Sequence, residues 1–306
     1  MLPDYSIIHK QDWFVKEEYK PDIQKDDLSF LSRSFERHFN ERPFLNHTCY
    51  LFLTKTTKER SRQQSNFNTL CRGYLVPKEI RDKEAISRFL EAVGQFESII
   101  NDSGFIKLRR LTDDEITGTA DKAGLIEKHF ALSQSDTTVL KDIQLNPEGM
   151  RIGDNKLCLH TLSDLDDLPG KVYTDARYER LSTDRSDCRL SYASPVGIML
   201  PCNHIYNQYL FIDDSAETLR QFEKTAKNMQ SLSRYSRSNQ INKEWIDLYL
   251  NEAHSFGLTA IRTHCNVISW SDDREELRHI KNDVGSQLAL MECKPRHNTV
   301  DAPTLF

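Results

Sequence analysis

The sequence predicts an α+β protein, two lobes of mixed or antiparallel sheet covered by helices, with a ferredoxin-like arrangement as one candidate. Three observations predict it. In each half of the chain a strand, one or two helices, a strand and a further helix follow one another. Their connections are short, which suits an open sheet covered on one face by helices. A length of 306 residues gives room for about two domains of ordinary size. The lobes are expected at 1–140 and 141–293, with the border somewhere in 131–150 and residues 294–306 as a linker. No repeat relates the halves.

Tyr5 and Ile7 alternate with polar residues and predict a strand over 5–15. Pro21 and Asp22 introduce a helix whose Leu28, Leu31, Phe35 and Phe39 recur on one stripe, ending before Pro43. The run 49–53, Cys-Tyr-Leu-Phe-Leu, predicts a buried strand, and the polar stretch 55–66 a long exposed loop. Asp82 is placed to cap a helix carrying Ile86, Phe89, Leu90, Val93 and Phe96, which Asn101 to Gly104 stops. A strand is expected over 105–111. Thr112 and Glu115 then have capping-box spacing for a helix running towards Phe130.

Signals weaken between Ala131 and Asp213, where 156–162 and 206–212 read as strands and Leu168 to Gly170 as a turn. Asp214 and Glu217 open a helix bearing Leu219, Phe222, Met229 and Leu232. A second helix carries Ile241, Trp245 and Leu248 and stops at Gly257, and both stripes read as core. A strand over 258–270 follows, then a helix capped by Asp272 and Glu275 and bearing Leu277, Ile280 and Val284. A last strand is expected over 287–292. The tail from Lys294 has two prolines and no pattern.

Composition excludes several classes. With 15 Phe, 11 Tyr and 3 Trp, the chain is too aromatic to be disordered. Its net charge of -5 argues against a surface built throughout for polyanions. Seven cysteines without a C-x-x-C give neither a disulfide framework nor a zinc ribbon and point to a reducing, cytoplasmic compartment. The apolar runs fall far short of the ~20 residues of a spanning helix, and no signal-peptide pattern opens the chain.

Motifs for chemistry are sparse. Gly170-Lys171 is the one Gly-Lys pair, and it lacks both the upstream Gly and the following hydroxyl of a phosphate-binding loop. Three nearby acids, Asp164, Asp166 and Asp167, would repel a polyphosphate. No G-x-G-x-x-G or G-x-S-x-G occurs, so neither catalytic nor cofactor-binding residues are assigned, and no enzyme activity is expected of these residues. Cys158, His160, Cys202 and His204 form two C-x-H pairs, which on neighbouring strands would suit a tetrahedral zinc. The spacing is unusual for zinc, and packing is the preferred reading, since Cys is commonly a buried small apolar residue and His a satisfied strand residue. Asp213-Asp214 and Asp272-Asp273 read as helix caps before they read as cation ligands. Residues 55–83 carry +5, led by Lys55, Lys58, Arg60 and Arg62, and have Phe67 and Tyr74 as their aromatics. Any DNA contact there would be phosphate-directed and salt-sensitive. A second basic cluster, Arg234, Arg237 and Lys243, lies between two long helices as a surface turn or a partner contact.

Several stretches carry a resemblance. They are LPDYSIIHKQDWFV (2–15), DDLSFLSRSFERHFNERPFLNHTCYLFLTKTTKERSR (26–62), AGLIEKHF (123–130), LSTDRSDCRLS (181–191), SLSRYSRSNQINKEWI (231–246), KNDVGSQLALMEC (281–293) and PRHNTVDAPTL (295–305). Together they make the chain resemble the region before the motor in the conjugative-transposon TraG family, large ATPases of type IV secretion systems. The resemblance spans essentially the whole chain. It implies a piece of a longer protein, continued on both sides, whose phosphate-binding loop and magnesium-binding acid lie beyond residue 306. ATP and magnesium are then cofactors of the parent protein and not of these residues. It also implies a cytoplasmic protein, peripheral at the inner membrane, that powers DNA transfer between cells. Its partners would be inner-membrane proteins of the conjugation apparatus, further copies of itself through the motor, and DNA. The residues themselves are compatible with two functions: a non-catalytic docking and regulatory domain, or a nucleic-acid-binding module that holds the transferred single strand through 55–83.

Overall fold

The computed structural model describes residues 2–17, 29–41, 44–56, 82–146, 149–162, 167–169, 176–179, 182–190, 194–294 and 296–298. Among them the chain is α+β, with one eight-stranded sheet, a separate two-stranded ribbon and eight helices. The strands are β1 (Ser6–Glu17), β2 (Phe44–Lys55), β3 (Ile143–Asn146), β4 (Gly149–Ile152), β5 (Asn155–Thr161), β6 (Ala176–Arg177), β7 (Arg189–Leu190), β8 (His204–Ile212), β9 (Ile261–Ser271) and β10 (Arg296–Asn298). The helices are α1 (Phe30–Asn40), α2 (Lys83–Asp102), α3 (Asp113–Thr117), α4 (Leu125–Ala131), α5 (Ser194–Ile198), α6 (Ser215–Leu232), α7 (Arg237–Phe256) and α8 (Arg274–Leu290).

The main sheet runs β2-β1-β8-β9-β5-β4-β3, with β10 beside β5, and β6 pairs β7 in the ribbon. β5 lies antiparallel to β9 with Leu159 opposite Ile268. Hydrogen bonds from Tyr5 to Ile212 and from Asp213 to Ala260 fix the ends of the β1/β8 and β8/β9 pairs. A ferredoxin-like fold splits the two strands that flank each helix. Here β1 and β2, and likewise β8 and β9, flank helices and are direct neighbours, so the sheet does not follow that order.

The chain divides into two compact units. One comprises Met1–His9, Leu51–Arg109 and Tyr209–Thr263; the other comprises Lys10–Tyr50, Arg110–Gln208 and His264–Phe306. Four of the borders, 9/10, 50/51, 208/209 and 263/264, fall within strands, and the one at 109/110 falls between helices.

In the second unit both faces of the sheet are buried. Trp13, Ile152, Leu159, Ile205, Ile268 and Trp270 form one cluster, closed by Leu132 just after α4. Val267 and Tyr206, neighbours of Ile268 and Ile205 along their strands, point to the opposite face. There they meet Ile280, Val284 and Leu288 of α8 and Val196 of α5. Helices therefore contact both faces of the sheet, where the sequence suggested one.

Several local expectations are corrected. Residues 105–111 form no strand: the side chain of Asn101 accepts from the Leu108 amide at 2.6 Å and donates to its carbonyl at 3.4 Å, replacing a ladder. Residues 287–290 belong to α8, because the period Leu277, Ile280, Val284, Leu288 continues without a break. The single helix towards Phe130 is two, α3 and α4, divided at Gly118, whose φ of 85° ends α3. Arg296–Asn298, within the patternless tail, pairs antiparallel with β5. β2 is an edge strand with no buried residue, so Cys49 is exposed where burial was expected.

Candidate functional site

The α6–α7 hairpin is the most distinctive surface of the first unit. Asp214 caps α6 by accepting from the Glu217 amide at 3.0 Å, as its position predicts. Ser236 caps α7, accepting from Ser238, and Gly257 ends it in the left-handed conformation at φ 62°. The helices lie side by side, with the rings of Phe222 and Tyr249 5.2 Å apart and His254 3.5 Å from Glu223. Ala226 on α6 and Leu250 and Ala253 on α7 are buried.

The predicted core stripe of α7 is elsewhere. Ile241, Trp245 and Leu248 are exposed, Trp245 by 59%, and Tyr235 in the turn by 85%. At 100° per residue, the apolar residues 241, 245, 246, 248, 249, 250 and 253 cover an arc of about 200°, twice the width that faces a core. That excess width is the signal in the sequence that α7 carries two apolar stripes. One meets its own protein and the other meets solvent.

The turn holds Arg234, α7 opens on Arg237, and a cleft of about 490 Å³ opens between them and Tyr235, Gln240, Ile241 and Glu244. Lys243, grouped with them by sequence, instead pairs with Asp247 at 2.6 Å.

The zinc candidates are placed on one unit but not as a ligand set. Cys158 and His160 lie on β5, Cys202 just before β8 and His204 on β8, with β9 standing between β5 and β8. Each ring nitrogen of His204 faces a carbonyl oxygen, Cys202 at 2.8 Å and Gly197 at 2.7 Å. Burial pushes the Cys202 thiol up to about 12, the reverse of what a thiolate ligand needs. Among the described residues no cluster of three or more His, Cys, Asp or Glu is arranged to hold a metal ion. A crevice of about 10 Å³ beside His160, Tyr206 and Cys265 has room for about one water.

Of the basic segment, Lys58, Arg60, Arg62, Arg72, Lys78 and Arg81 lie outside the described residues, as do Phe67 and Tyr74. Lys55 donates to the Asp4 carbonyl and sits 5.5 Å from the Tyr5 ring centre. Asp213 is held by Arg262 through two bonds of 2.5 and 2.9 Å, and Asp273 caps α8. Among the described residues no helix is long and apolar enough to cross a membrane. No family model and no curated protein matches this chain.

Proposed function

We propose that these 306 residues form a non-catalytic docking and regulatory domain, the part ahead of the motor in a TraG-like conjugation ATPase. The observation that carries the docking reading is the second stripe of α7, where Ile241, Trp245 and Leu248 stand in solvent on an otherwise capped and packed helix. Exposed aromatic residues grouped with arginines are the composition of protein interfaces. The sequence resemblance supplies the machinery: a type IV secretion apparatus whose inner-membrane proteins would meet this surface from the cytoplasm. ATP and magnesium then belong to other parts of the parent protein.

The test is made in donor cells that carry the parent gene. Trp245→Asp combined with Leu248→Asp lowers DNA transfer by at least about tenfold, the loss of one interface hot spot, while the protein accumulates normally. Unchanged transfer overturns the docking reading. Robust ATP turnover by the purified chain, sensitive to substitutions within it, overturns the non-catalytic part.

A further inference from the structure

We infer that the tip of the α6–α7 hairpin binds an acidic segment of a partner protein, anchored by an apolar side chain. The inference rests on the docking reading and adds the chemistry of the partner. Its basis is the coincidence, at one turn, of an apolar platform and two cations without a counter-ion among the described residues.

Neither Arg234 nor Arg237 has a carboxylate within 4.0 Å among the described residues, whereas Lys243 and Arg262 in the same unit are both paired. The first turn of α7 contains no acid, so the positive end of the helix dipole adds to the potential of the two arginines where acids commonly sit. Guanidinium groups hold carboxylates through paired hydrogen bonds, a geometry that lysine does not reproduce. Tyr235 and Ile241 line the cleft beside these charges and are exposed, and the exposed Trp245 follows Ile241 one turn further along α7. They supply area that an ion pair alone lacks, since exposed pairs contribute little by themselves.

Two features favour an acidic protein segment over a nucleic acid. The cleft includes Glu244, which accepts from Gln240 at 3.2 Å and would repel a continuous phosphate chain. Two arginines also give few phosphate contacts, against the roughly six to ten of a strongly salt-dependent binder. A partner carrying one or two carboxylates next to a Leu or Phe satisfies both cations and covers the rings.

The experiment measures fluorescence anisotropy of the whole 306-residue chain with three labelled probes. The first is an amphipathic peptide of about 15 residues built from Glu and Leu, the second the same peptide with Gln for every Glu, and the third an oligothymidine of about the same number of nucleotides. The Glu peptide is expected to bind at least about tenfold more tightly than the Gln peptide. R234Q combined with R237Q removes that preference, and W245A weakens both peptides. Circular dichroism checks that these exposed substitutions leave the fold intact. Equal binding of the two peptides overturns the inference, as does a preference that survives the arginine substitutions. Arginine-dependent binding of oligothymidine tighter than the Glu peptide overturns it in favour of nucleic acid, and binding of no probe also overturns it. Binding of the Gln peptide through Trp245 with no preference for Glu leaves docking standing and removes only the acidic partner. Loss of the docking reading itself is read separately, from unchanged transfer by the Trp245→Asp, Leu248→Asp donor.

Discussion

The imidazole of His204 lies flat on the ring of Phe14, their centroids 4.6 Å apart and their planes 11° from parallel. Phe14 is in turn stacked on His47, which bonds the Asp12 carboxylate at 3.0 Å, so one aromatic ring separates a fully buried histidine from a half-exposed one. Burial lowers the pKa of His204 and outweighs the two carbonyls and Asp12, which act the other way. The folded chain therefore holds this ring neutral, while the unfolded chain protonates it near the ordinary value of 6.5. Below that value the unfolded state binds more protons, so stability is fully present above about pH 6.5 and falls as the pH drops through it. His264, also lowered by burial, adds a loss of the same sign. His204→Ala should cost about 2–4 kcal/mol at about pH 7.5, from lost packing and hydrogen bonds. It should also flatten the fall in urea midpoint between about pH 7.5 and 5.5. An unchanged slope would mean that the ring does not titrate in unfolding.

Asp12 controls a second group. Burial raises its pKa, but hydrogen bonds from Lys10 and His47 outweigh this and keep the carboxyl below its ordinary value. Its charge stands beside Cys49, and partial burial of the sulfur together with that charge pushes the thiol up to about 11. Asp12→Asn should raise the alkylation rate of Cys49 at about pH 8 by about three- to tenfold, since one pKa unit is a tenfold change in thiolate. Peptide-resolved mass spectrometry after iodoacetamide labelling reads this rate. A rate that stays the same assigns the whole shift to burial.

The connection between α3 and α4 is set by two glycines. The Gly124 amide donates to Glu127 at 2.9 Å, and a Cβ at Gly124 would sit 2.6 Å from the Ile116 carbonyl oxygen, against backbone that cannot yield. Gly124→Ala should therefore lower the melting temperature by several degrees, the effect of about 1–3 kcal/mol of overpacking. The loosening should reach Trp13, which Leu132 helps to bury. The fluorescence of Trp13 and Trp270, which share that cluster, reads this in a chain whose Trp245 is replaced by Phe. Gly104→Ala, at a positive φ with open space around it, separates backbone strain from collision.

Capping chemistry and long periodic helices were legible in the sequence because both act within a few residues. Thr112 with Glu115, Asp82 and Asp214 all cap as their spacing predicts. The partner of each strand was not legible. Nothing local tells a paired strand from a segment such as 105–111, whose Phe105, Ile106 and Leu108 have strand character but whose backbone is satisfied by the Asn101 side chain. The pairing of His297 with His160 likewise depends on a strand far away along the chain. The hairpin is half legible: the arginines at its tip stand out as a cluster, whereas Trp245, further along α7, has the periodicity of a core residue, because a stripe that meets a partner has the same period as one that meets its own sheet.

Leu248 and Leu250 make that ambiguity measurable. They are two residues apart on α7, chemically identical, and face different surroundings: Leu248 is 59% exposed and Leu250 9%. Leu250→Ala should cost about 2–5 kcal/mol, as buried leucines do. Leu248→Ala should stay within about 0.5 kcal/mol of the parent, as surface changes do. Urea unfolding of the two variants at one pH compares them directly. A large loss at Leu248 would place it in the protein's own core and take away the exposed stripe on which docking rests. A small loss combined with impaired transfer would show a residue kept for contact with another protein and not for folding.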